Sequence, residues 1–264
     1  MSRCHNSYLG SNPALKLLPE TQSIISQVEA ITDRPVQVAE VAGLAVMASI
    51  KVASEGAPSH VLTCRPEGDI LDYQVAVQCA HILRLYQRPP SERFHFGTDR
   101  KSISKLETML RKTGKAHPDD GRLASVAKLV FDWLLLSLRS FPVAMRIDAW
   151  LWKGYPALRP QIELSLGRQM QENITAVTKE LDGLSIPPRF IGLPAAYARF
   201  TDRLLDSEFY SIPFQTIHAM PEGDALLGIW DQTPDTPLAD NRLIDAWAEH
   251  LGIRDWYVWI PFHE

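Results

Sequence analysis

The sequence predicts an α+β fold, mostly helical, with a small N-terminal sheet packed on one central buried helix. Three observations lead there. Residues 69–88, apolar from Ile70 to Leu83 except at Asp72, Gln74, Gln78 and His81 and stopped by Pro89-Pro90, read as a helix buried nearly all round. Segments between 35 and 65 are rich in valine and alternate in polarity, the mark of strands. Beyond residue 100 the apolar positions recur mostly at helical spacing.

In chain order, residues 1–22 carry Gly10, Pro13 and Pro19 and read as an arm. Ser23 to Ile31 reads as a short helix. Pro35 to Val52, with Gly43 at its middle, reads as two strands, and a helix over Ala39 to Ser49 is the competing reading. Ser59 to Arg65 alternates as a third strand, ended by Pro66-Glu67-Gly68. The buried helix follows, with Asp72 as its expected N-cap. Gln74, Gln78 and His81 share one stripe of it, continued by Arg84 and Leu85. Each should be hydrogen-bonded, because an unpaired buried polar group costs about 1–3 kcal/mol. Phe94 and Phe96 sit in a polar stretch. Helices are expected over 103–112 and 123–139, the latter ended by Pro142, and over 143–153, which carries Arg146, Asp148, Trp150 and Trp152. Pro160 opens a long amphipathic helix to about Leu181. Ile186-Pro187-Pro188 reads as a linker, followed by helices near 194–205, 223–230 and 239–251 and a terminal strand or anchor at Trp256 to Ile260.

With 264 residues the chain is long enough for a substantial core, and its 45% hydrophobic and 22% charged content is that of a globular protein. A net charge of −4 without a basic stripe argues against nucleic acid as a partner. Three cysteines (Cys4, Cys64, Cys79), an odd count without paired spacing, point to a reducing, cytoplasmic setting. Neither a signal peptide nor a membrane span is expected: the N-terminus has no apolar stretch, and Leu129 to Leu138 is too short to cross a bilayer.

The sequence contains no GxSxG, Walker A, GxGxxG or HExxH motif, and no two of its eight histidines stand four apart. The strand–loop–helix at 59–88, followed by a helix bearing Asp148, nevertheless resembles the ImmA/IrrE group of zincin-like metallopeptidases, in which a strand leads into a helix carrying HExxH and a downstream helix supplies an acidic third ligand. On that pattern His81 matches the second histidine. Val77 stands at the first zinc histidine, Gln78 at the general-base glutamate, and Arg146-Ile147-Asp148 near the third ligand.

The resemblance covers about residues 30–155; with the boundary at the 186–188 linker, a zincin-like domain is expected over 23–185, after an N-terminal arm over 1–22, and a helical C-terminal subdomain over 186–264. It implies no catalytic residue, no metal and no cofactor, because a zinc site needs three protein ligands and an amide is not basic near neutrality. The expected function is that of a catalytically inactive pseudo-peptidase, a protein-binding or regulatory module using Gln74, Gln78, His81, Arg146 and Asp148. Its implied partner is another protein of the transcriptional-regulator class. The imidazole of His81 and the carboxylate of Asp148 should then lie about 3–6 Å apart. Against this stand plainer readings: His81 as a core histidine bonded to a backbone carbonyl, Cys79 as a small buried hydrophobe, Lys128–Asp132 as an ordinary ion pair, and His117-Pro118-Asp119-Asp120 as a turn. Two further alternatives are an active hydrolase with a metal site drawn from His60, His81, His95 and Asp148, and a structural assembly subunit.

Overall fold

The structure is a computed structural model, in which residues 16–44, 46–54, 56–66, 68–113, 120–178 and 186–262 are described. It is α+β and mostly helical, with small sheets. The chain divides into two compact units, one ending at Leu83 and the other beginning at Arg84. The boundary falls inside a helix. The expected linker at 186–188 follows residues 179–185, which lie outside the described set, as do 1–15 of the expected arm.

The first unit opens with helix α1 (Pro19–Thr32), earlier than the expected start at Ser23. Proline at its first turn fits, since proline has no amide hydrogen to leave unpaired there. Leu18, the N-cap, has no capping side chain of its own, and its N–H donates to Asp72 Oδ1 at 2.6 Å. Asp72 was expected to cap its own helix. It lies one residue inside that helix and serves the end of α1, where a carboxylate also meets the positive end of the helix dipole. Thr21, Ile24 and Val28 form the buried face of α1. Three strands follow, β1 (Val36–Glu40), β2 (Ala48–Lys51) and β3 (His60–Cys64), in sheet order β1-β3-β2. The two-strand reading of 35–52 therefore holds over the helical one, with Gly43 at φ +79° in the connection. β3 runs parallel to β1, pairing Val36 with His60, and antiparallel to β2, pairing Ile50 with Leu62. It leads directly into α2 (Leu71–Tyr86). Cys79 of α2 and Cys64 of β3 are near enough for their charges to interact, which places this face of α2 toward the sheet.

The second unit is built on helix α4 (Asp120–Gly154), against which α3 (Ile103–Thr113), α5 (Arg159–Thr178), α6 (Pro188–Leu205) and α9 (Asp240–His250) pack. Between α6 and α9 come the short α7 (Ile212–Thr216) and α8 (Met220–Gln232). Pro142 was expected to end a helix, but α4 continues through it. A proline inside a helix costs about 3 kcal/mol through one lost hydrogen bond and a ring clash. Here Leu134, Leu135, Leu138, Phe141, Val143, Met145 and Ile147 are buried on both sides of it, and that burial outweighs the loss. A two-stranded antiparallel ribbon joins β4 (Phe94–Thr98) to β5 (Tyr257–Pro261). The terminal strand was expected, but its partner, in the stretch with Phe94 and Phe96, was not.

Candidate functional site

Accessibility along α2 picks out one face. Residues 71–76, 79, 80, 82, 83 and 86 are buried, while Val77, Gln78, His81, Arg84 and Leu85 are half-buried and open a single stripe at helical spacing. Gln74, expected on this stripe, is closed off at 3% exposure. Neither its amide oxygen nor its nitrogen finds a partner among the described residues, contrary to the expected hydrogen bond. Three of the five open positions of α2, Val77, Gln78 and His81, are those on which the resemblance puts a ligand, a base and a ligand. Chemically they offer an aliphatic surface, a neutral amide and one imidazole.

Two other groups of this unit are accounted for by structure. His60 is fully buried on β3. The N–H of Ala53 donates to its Nδ1 at 3.0 Å, so Nδ1 is unprotonated and the ring hydrogen is on Nε2, 3.1 Å from Thr32 Oγ1. Thr32 in turn donates to Val28 O at 2.8 Å. Burial, then the nearby positive charge of Arg34, lowers the His60 pKa from its ordinary value. With both nitrogens engaged, His60 serves to tie β3 to the backbone of Ala53 and to Thr32. Burial pushes the Cys79 and Cys64 thiols up to about 12, so both act as buried hydrophobes.

In the second unit, Arg146 and Asp148 project from the same stretch of α4 and serve different neighbours. Asp148 is fully buried and its Oδ2 accepts from the Tyr197 hydroxyl at 2.6 Å. Arg146, 1% exposed, donates through Nη1 to Asp240 Oδ1 at 2.9 Å and through Nη2 to Thr233 O at 2.9 Å. Asp240, at the first turn of α9, also accepts from Arg84 Nε at 2.9 Å and Nη2 at 2.8 Å, and from Arg88 Nη2 at 3.1 Å. Arg84 reaches the more exposed Asp235 as well, at 2.9 Å. Burial by itself would raise the Asp240 carboxyl. Hydrogen bonds and charge from Arg84, followed by Arg88 and Arg146, outweigh it and hold the carboxyl below the usual carboxylate range. Sequence reasoning missed Asp240, because an acid at a helix start looks like ordinary dipole compensation.

Next to this cluster a groove of about 410 Å³ is lined by Glu92, Phe94, Leu238, Asn241, Arg242, Asp245 and Trp259. Asp245 Oδ1 accepts from the Tyr257 hydroxyl at 2.6 Å and from Trp259 Nε1 at 2.9 Å, and lies 3.1 Å from Arg254 Nε. The two Ile-Asp-Ala-Trp stretches of the sequence, at 147–150 and 244–247, thus each contribute an aspartate that accepts from a tyrosine. His95 is exposed on β4, edge-on to Phe262 with ring centres 4.6 Å apart. The region of His117 lies outside the described residues up to Asp120, which begins α4. Among the described residues no three His, Cys, Asp or Glu side chains are placed to hold a metal ion. No protein-family model, curated protein or solved structure matches the chain.

Proposed function

We propose that the chain is a catalytically silent relative of the zincin-like peptidases and works as a protein-binding, regulatory module through the open stripe of α2. One observation carries this reading. On a largely buried helix that follows directly from a strand, the accessible stripe runs through Val77, Gln78, His81, Arg84 and Leu85, and its first three positions are those that would bear a peptidase's chemistry. Valine and glutamine there keep the face in place while providing neither a metal ligand nor a base. A partner of the transcriptional-regulator class belongs to the same proposal. Reversing the two substitutions tests it. The double variant Val77→His/Gln78→Glu should acquire zinc binding by equilibrium dialysis, and adding His81→Ala should abolish it. A correctly folded double variant that takes up no more zinc than the parent chain would show that the three positions do not converge, and the zincin reading would fall.

A further inference from the structure

We infer that the groove between β4, β5 and the start of α9 binds a free amino acid with an apolar side chain, held as its zwitterion. The groove lies wholly within the second unit and is independent of the α2 stripe. Its volume of about 410 Å³ is in the range of small-molecule sites, roughly 300–1,000 Å³.

Its walls are fixed before any ligand arrives. The indole of Trp259 is pinned by its N–H bond to Asp245 and by edge contacts with Phe96 and Tyr257, at 5.5 and 5.7 Å between ring centres. Phe96 in turn stacks on Tyr257 at 4.3 Å. Such preorganisation reduces the entropy lost on binding. Phe94 and Leu238 complete the apolar surface.

The polar lining sorts by what is already engaged. Asp245 is occupied by Tyr257, Trp259 and Arg254. Asn241 accepts through Oδ1 from Arg88 at 2.8 Å, which leaves its amide N–H₂ as a donor. Glu92 and Arg242 line the same groove, and neither makes an ion pair among the described residues. Glu92 is felt electrostatically by Arg88 without contacting it as an ion pair. The groove therefore offers one carboxylate, one guanidinium, one amide donor and an aromatic-aliphatic wall. A simple anion would meet Glu92, and a simple cation would meet Arg242. An α-amino acid satisfies both: ammonium to Glu92, carboxylate to Arg242 and Asn241, and side chain between Phe94, Leu238 and Trp259.

Titration calorimetry of the full chain with leucine, N-acetyl-leucine, leucine amide and glycine tests this. Leucine should bind saturably, and each of the other three should bind about tenfold weaker or less well still. Glu92→Gln should remove the preference for leucine over N-acetyl-leucine, and Arg242→Gln the preference over leucine amide. Both residues are exposed, and unchanged melting curves would establish that the variants are folded. No saturable heat from leucine or phenylalanine at millimolar concentration would overturn the inference. So would equal binding of the capped and uncapped forms.

Discussion

His60 is the residue whose environment makes the sharpest prediction. Its folded pKa is lowered, so between that value and the unfolded value near 6.5 the unfolded chain holds more protons. The stability that His60 contributes is therefore fully present above about pH 6.5 and is lost as pH falls through that value toward the folded pKa. In a proton NMR titration the His60 ring should show a midpoint below that of a free histidine; a midpoint at or above about 6.5 would contradict the hydrogen-bond assignment. Cys64 and Cys79, with thiols near 12, should resist iodoacetamide at pH 8 in the native chain and react once it is unfolded, as read from the labelled peptides by mass spectrometry. Asp240 carries a larger effect. Asp240→Asn leaves three guanidinium groups facing a neutral amide, and removing one partner of a buried ionic group costs about 3–5 kcal/mol. Urea denaturation should show that loss. The depressed carboxyl also implies that the contribution of Asp240 is complete above about pH 4 and disappears as pH falls below it.

For the elements, the tightest constraint is the crossing of α6 and α8. A Cβ added at Gly223 would stand 2.8 Å from Ala195 Cβ and 2.9 Å from the backbone of Ala195 and Ala196, and neither backbone atom can swing aside. Gly223→Ala should therefore destabilise by about 1–3 kcal/mol through overpacking, and an unchanged melting temperature would mean that the crossing is looser than described. The elements also show what a sequence discloses. α2 was legible from its own residues, because an apolar run ended by two prolines leaves little choice. β4 was not. Its five residues have meaning only against β5, which pairs Phe96 with Trp259 from the far end of the chain. Pro142 misled because local proline chemistry was weighed without the burial that surrounds it. Of the candidate site, Arg84 and Arg146 stood out in sequence, but the carboxylate that joins them lies 156 and 94 positions away, and no local pattern announces such a contact.

At the scale of the whole molecule, each unit has a reason to hold its shape. The first rests on a three-stranded sheet whose central strand is buried at His60, Leu62 and Cys64, and the second on a long helix with its packed neighbours. No helix among the described residues is long and apolar enough to cross a membrane. The proposed reading, a peptidase-like face on α2 without a peptidase's chemistry, is tested most directly by elemental analysis of the purified wild-type chain. Zinc well below one per chain is predicted, because one imidazole cannot supply the three protein ligands such a site needs. About one zinc per chain, lost in His81→Ala, would contradict it, since that stoichiometry requires further ligands converging on His81.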